Sequence, residues 1–149
     1  MLLRLLLLSF EILNFHFLMK SILEILSRKP FAVVGHRGAK GECAENTLSC
    51  IEYAIEVGAD IVEVDIRETK DEHLILLHDE DFERVAGEKV SPKELNLKEI
   101  KEHIKVSGKY GVSTLEEVLD LVGTRAGLFL EIKEPPTVDK VLSLSLIHI

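Results

Sequence analysis

Three carboxylates and two histidines are spaced in this sequence so that they could act on one substrate. In the segment IVEVDIRET (61–69), apolar and charged residues alternate. With the two-residue period of a β-strand, Val62, Val64 and Ile66 face one side, and Glu63, Asp65 and Arg67 face the other. Carboxylates placed inside a sheet's cover cost several kcal/mol each unless they are paired or bind a cation. Two residues apart on one strand, Glu63 and Asp65 can reach a single ion. GLFLEIK (127–133) repeats the arrangement, with Glu131 and Lys133 on one face and Leu130 and Ile132 on the other. If the two strands are close, Glu131 supplies a third oxygen. An oxygen-only donor set favours a hard cation, Mg²⁺ or Ca²⁺, over zinc.

The histidines fall in the same layer. His36 ends one strand in His36-Arg37-Gly38, and His78 ends another in His78-Asp79. Imidazoles titrate near working pH, so two of them beside a carboxylate cluster form an acid/base pair. Arg37 offers a forked donor suited to a phosphate. His16, His73, His103 and His148 have no such context.

The elements that must position these groups alternate in type. FAVVGHRG (31–38) reads as a buried strand ending at a glycine-bounded loop. NTLSCIEYAIEVGAD (46–60) reads as a helix with Leu48, Ile51, Ala54 and Ile55 on one stripe and Gly58 at its C-terminal end. A strand over 61–69, a turn at Asp71-Glu72 and a second strand over 73–79 follow. Residues 91–104 are a short helical stretch. Thr114 to Glu117 is a capping box that opens a helix closed by Gly123, and 127–133 is a fourth strand. Strands interleaved with helices imply a parallel sheet with helical cover, an α/β class. In a TIM-type (β/α)8 barrel the active-site groups gather at the C-terminal ends of the strands. The polar groups named above occupy such ends, which points to hydrolysis of a phosphoryl or related ester.

Composition sets the bounds. The chain has 149 residues, 46% hydrophobic and 30% charged, enough for one domain with a core, which excludes a disordered, collagen-like or disulfide-scaffold protein. Its 18 basic and 26 acidic side chains give a net charge of −8, which argues against nucleic acid as a partner. Cys43 and Cys50 form no CxxC pair and read as two reduced thiols of a cytoplasmic protein. The stretch 1–18 is strongly apolar but is interrupted by Arg4, Glu11, Asn14 and His16, so it lacks the run of about 20 apolar residues that spans a membrane. It reads as upstream residues that are not native, with Met19 as a second start. A weak signal sequence and a membrane-associating helix, with membrane contact and location to match, are the alternatives. The domain proper is 19–141, and 142–149 is a tail in which the charged, amphipathic texture is lost.

The ordered set VGHRG (34–38), AENTLSCIEYAIEVGADIVEVDIRETKD (44–71), LILLHDEDFERVAG (74–87), VSTLEEVL (112–119) and LFLEIK (128–133) resembles the N-terminal half of the glycerophosphodiester phosphodiesterase family. The resemblance implies an incomplete barrel of about the first four strands. It also implies cleavage of a small glycerophosphodiester to glycerol 3-phosphate and an alcohol. His36 and His78 would be the acid/base pair, and Glu63, Asp65 and Glu131 would hold Mg²⁺ or Ca²⁺. Arg37 and Lys133 would contact the phosphate, with Glu45 in support. Ala44, Ser113, Asp71-Glu72 and Val85-Ala86 depart from the family pattern without removing a catalytic group. A complete barrel needs about 250 residues, and open strand edges invite self-association. The competing readings are a phospholipase D-like enzyme acting on lysophospholipid or sphingolipid, and a truncated fragment without catalysis.

Overall fold

The computed structural model describes residues 24, 25, 27, 31–134 and 137–148, with side chains as far as 144. The hydrophobic extension 1–18 lies outside the described residues. In chain order the elements are β1 (Val34–His36), α1 (Leu48–Glu56), β2 (Ile61–Glu68), β3 (Leu74–Leu76), α2 (Glu83–Ala86), a 3-10 turn (Pro92–Glu94), α3 (Leu97–His103), β4 (Lys105–Val106), β5 (Tyr110–Gly111), α4 (Leu115–Val122), β6 (Gly127–Ile132) and α5 (Val138–His148). The last helix runs through 142–148, the stretch that the sequence sets apart as a tail.

β2 is the centre of a four-stranded sheet. β1 lies parallel to its first half, with His36 opposite Glu63. β6 lies parallel along its other edge, with Phe129 opposite Glu63 and Glu131 opposite Asp65. β3 is antiparallel and pairs Leu74 with Glu68 and Leu76 with Ile66. Here the structure departs from the expected parallel sheet, which holds for β1, β2 and β6. The chain overshoots the rim, turns at Asp71-Glu72, and returns as a hairpin. Glu72 takes the left-handed conformation with φ 66° that such a tight turn requires. β1, β2 and β6 form an open parallel arc with no closure among the described residues.

The alternation in β2 separates two environments. Val62, Val64 and Ile66 pack beneath Ile51 and Ala54 of α1, Leu115, Val118 and Val122 of α4 and Val141 of α5. Each such side chain contributes roughly 1.5–3 kcal/mol by leaving water. A second cluster joins Ile75, Leu77, Phe82, Ile100, Ile104, Val106 and Val112. The hairpin strand is therefore covered on both sides, which explains the unbroken apolar run LILL (74–77).

Caps fix the helices that cover the sheet. Thr47 accepts from the Cys50 N–H at 3.3 Å at the start of α1, and the Ser113 hydroxyl accepts from the Leu48 N–H at 3.2 Å. Thr114 and Glu117 form the expected capping box on α4. The small β4–β5 hairpin lay within a stretch that the sequence reading left without an element. Among the described residues, no helix is long and apolar enough to cross a membrane.

Candidate active site at the open end of the parallel arc

The site is built on the charged face of β2. Asp65 is fully buried, and the face continues through Glu63 and Arg67. One ligand oxygen from each of Glu63, Asp65 and Glu131 lies within 4.8 Å of the others. Two oxygens held at about 2.0–2.6 Å from one ion are separated by no more than about 5 Å, so the spacing fits a hard divalent cation. Independent support comes from an unmet polar atom. Glu63 Oε1 is buried, and among the described residues it accepts no hydrogen bond. Nearly all buried polar atoms in folded proteins are satisfied, so an orphan carboxylate oxygen beside two further carboxylates suits a cation.

The loop after β1 is folded tightly around this cluster. Arg37 has φ 51° and Asn46 has φ 56°, both in the left-handed region. Such conformations persist only where surrounding contacts over-determine them. The Arg37 N–H donates to Glu63 Oε2 at 2.9 Å, and the Asn46 N–H donates to the Arg37 carbonyl at 3.0 Å. The Asn46 side-chain amide donates to Asp65 Oδ2 at 2.8 Å, and its oxygen accepts from the Asp65 N–H at 3.3 Å. Gly35 and Gly38 make the fold of this loop sterically feasible. A Cβ on Gly35 would sit 2.3 Å from the Gly38 carbonyl oxygen, and one on Gly38, at φ 87°, would sit 2.9 Å from the Cys50 backbone.

Cations surround the carboxylates. The Arg37 Nε is 3.2 Å from Asp65 Oδ2, and its Nη1 donates to Glu45 Oε1 at 2.9 Å. Lys133 Nζ is 2.8 Å from Asp65 Oδ1 and also pairs with Glu131. Burial pushes the Asp65 carboxyl up, but hydrogen bonds and charge from Lys133 and Asn46, with Arg37 nearby, outweigh it and hold it below the usual range. Burial likewise pushes Lys133 down, and Asp65 and Glu131 more than reverse that. Burial raises Glu45, yet Arg84 and Arg37 bring it to about 2.

The histidines reach the rim by different routes. His36 stands at the end of β1, its side chain 60% exposed, with Nε2 3.8 Å from Glu63 Oε2. His78 arrives on the returning hairpin rather than on a parallel strand. The Leu77 N–H donates to the Asp65 carbonyl at 3.1 Å, and Arg67 donates through Nε and Nη2 to the His78 carbonyl at 3.3 and 3.1 Å. Its Nδ1 lies 2.6 Å from Asp79 Oδ1. The Arg84 hydrogen bond, opposed by burial and helped by His78, holds Asp79 at about 2, so Asp79 is a carboxylate that can only accept. Nδ1 of His78 therefore donates to Asp79, and Nε2 is the ring nitrogen that this pair leaves unengaged.

All eight residues that the sequence singles out thus lie at or beside this rim: Glu63, Asp65, Glu131, Arg37, Lys133, Glu45, His36 and His78. The sequence reading missed Asn46, Arg67, Asp79 and Arg84. Asn46 had a weak local signal, an Asx residue just ahead of the Thr47 cap. The other three depend on contacts across the hairpin.

One expectation is overturned. Cys43 and Cys50 are joined in a disulfide, with Cα atoms 5.4 Å apart. The seven-residue spacing becomes bridgeable because the loop turns back on α1, bringing the Ala39 N–H within 3.3 Å of Cys50 Sγ.

Known proteins resemble this chain in sequence and in fold. A glycerophosphodiester phosphodiesterase from Caldanaerobacter subterraneus subsp. tengcongensis is 38% identical over 108 residues, covering 68% of this chain and 44% of the relative. The crystal structure of a glycerophosphodiester phosphodiesterase from Thermotoga maritima superimposes with a TM-score of 0.71 at 36% identity, covering 79% of this chain and 51% of that one. Human lysophospholipase D GDPD1 is 36% identical over 80 residues, covering 54% of this chain and 24% of that protein. The chain therefore spans about half the length of such relatives or less. The model of one family, described as "Glycerophosphoryl diester phosphodiesterase family", matches residues 36–145. With the acidic cluster, the two rim histidines and the parallel arc already in place, that match leads to one conclusion: the chain belongs to the glycerophosphoryl diester phosphodiesterase family.

Proposed function

We propose that this chain carries the acid/base and cation-binding part of a metal-dependent enzyme that hydrolyses glycerophosphodiesters to glycerol 3-phosphate and an alcohol. The observation that supports this most is the cluster of Glu63, Asp65 and Glu131, with Glu63 Oε1 buried and unpartnered and Glu63 within reach of His36. Glu63, Asp65 and Glu131 would hold Mg²⁺ or Ca²⁺, which supplies Lewis-acid stabilisation of charge on the phosphoryl oxygens.

The chain's own residues do the rest. Arg37 and Lys133 present cationic donors to the phosphate, their own carboxylate partners keeping both side chains aimed at the rim. His78 presents Nε2, the ring nitrogen that Asp79 does not engage, to take a proton from a substrate hydroxyl or a water. His36, exposed at the opposite strand, is placed to return a proton to the leaving alcohol. The Asp79 partner supports assigning the base to His78, since a carboxylate there stabilises the imidazolium that forms.

Hydrolysis of glycerophosphocholine tests this, assayed with Mg²⁺, with Ca²⁺ and with chelator, on the chain and on a form extended to the family's full length. The extended form turns over, loses activity in chelator, and loses at least about a hundredfold in His36→Ala or His78→Ala. Turnover that resists chelator removes the cation from the mechanism. Undiminished turnover in both histidine variants removes the acid/base pair. The likeness to human lysophospholipase D GDPD1 supports a second reading, a lysophospholipid substrate. Faster headgroup release from lysophosphatidylcholine than from glycerophosphocholine would select it.

A further inference from the structure

The phosphodiesterase reading assigns no task to Arg84, yet this residue links the two loops that bear the histidines. It sits on α2, whose start is anchored by fully buried Phe82 and whose Val85 carbonyl accepts from the Ser107 N–H at 2.7 Å. The backbone under Arg84 is thus fixed independently of the carboxylates it meets. From there the guanidinium donates in two directions. Nε reaches Asp79 Oδ2 at 2.5 Å, and Nη1 and Nη2 reach Glu45 Oε2 and Oε1 at 3.0 and 2.7 Å. Asp79 holds the His78 ring, and Glu45 holds Arg37.

A continuous chain of hydrogen-bonded groups therefore runs His78–Asp79–Arg84–Glu45–Arg37. We propose that Arg84 is a positioning residue for the phosphodiester cleavage: its planar fork fixes the His78 imidazole relative to the Arg37 guanidinium, so that proton transfer and phosphate binding are set by one frame. The proposal rests on the phosphodiesterase reading for its catalytic half and on the observed contacts for its geometric half. An ordinary surface ion pair adds little to stability, and the Arg84 side chain is 47% exposed. Three donors committed to two carboxylates from loops 34 residues or more apart in sequence make a geometric role the better account of those contacts. A lysine could not reproduce them, because an ammonium has no planar fork to span two carboxylates.

The test has two arms. In the extended enzyme, Arg84→Ala lowers kcat about tenfold to a hundredfold while KM moves less than about threefold, since the reacting groups are misaligned but still present. Arg84→Lys recovers little of that loss, and added guanidinium ion at low concentration restores kcat in Arg84→Ala. Arg125→Ala, which breaks a comparable ion pair with Glu52 away from the rim, leaves kcat unchanged. In the 149-residue chain, ¹⁵N NMR of the His78 ring shows the Nδ1–H tautomer in the parent and a mixture of tautomers in Arg84→Ala. An unchanged kcat in Arg84→Ala, full recovery in Arg84→Lys, or an equal loss in Arg125→Ala overturns the proposal, as does an unchanged tautomer. If the extended parent fails to turn over any glycerophosphodiester, the enzymatic reading falls, and the tautomer measurement alone decides whether Arg84 orients the ring.

Discussion

The two faces of β2 are made by one stretch of eight residues and obey opposite rules. On the covered face, Val62, Val64 and Ile66 are fully buried among apolar side chains of α1 and α4. On the other, Glu63, Asp65 and Arg67 carry charge, and Asp65 is as fully buried as its apolar neighbours. The covered face gains from shape and exclusion of water and tolerates no charge. The charged face is held by pairing: Asp65 has Arg37, Lys133 and Asn46 around it. The difference shows that burial alone does not tell stabilising from functional positions in this chain. A buried carboxylate oxygen left without a hydrogen bond does so better, and Glu63 Oε1, on the charged face, is such an atom.

The largest effect expected from breaking this contrast is on the covered face. Val64→Asp puts an unpaired carboxylate into the core, costing about 4 kcal/mol or more, so urea denaturation should find the chain largely unfolded. A retained cooperative transition at the parental midpoint would undo the account of that face. Next comes Glu63→Gln, one residue away. Calorimetric titration with Mg²⁺ or Ca²⁺ should lose at least about tenfold in affinity, because the carboxylate charge is gone, while the fold survives. Equal binding in parent and variant would place the cation elsewhere.

A smaller effect is expected with acid. Glu45 and Asp79 are held at about 2 in the folded chain, against about 4 for ordinary carboxylates. Depressed folded values mean that both groups favour folding above the ordinary range, and that this stability drains away as pH falls from about 4 towards 2. Glu45→Gln should flatten part of that acid limb in a series of denaturation curves. An identical limb in the variant would show that the Arg84 and Arg37 contacts do not operate in solution. The smallest effect belongs to Arg125→Ala, whose exposed pair with Glu52 lies on the helical side. Its melting temperature should match the parent within error.

How far the sequence revealed this design depends on the range over which each contact acts. The alternation in 61–68 and 127–133 is local, so both faces of β2 and β6 were readable, as was the Thr114–Glu117 box. His36 and His78 were readable as strand-end groups because a glycine or an aspartate follows closely. The direction of the strand after the Asp71-Glu72 turn was not. An apolar run such as LILL suits a buried strand of either direction, so the turn at Asp71-Glu72 was legible while the antiparallel return was not. Missing the antiparallel return concealed the contacts that depend on it, Arg67 on the His78 carbonyl and Arg84 on Glu45, 39 residues apart. The disulfide was hidden for a related reason, since the loop's reversal onto α1 leaves no periodic trace.

Gly35 and Gly38 carry a consequence for anyone wishing to transplant this catalytic rim. The strand end and the helix start touch so closely that the loop between them cannot be lifted out as a cassette, because the surface it leans on is the Ala54 methyl and the Cys50 backbone of α1. A graft must take the helix along with the loop. Any host offering a bulkier wall at that point will displace the histidine and arginine by the width of a methyl group.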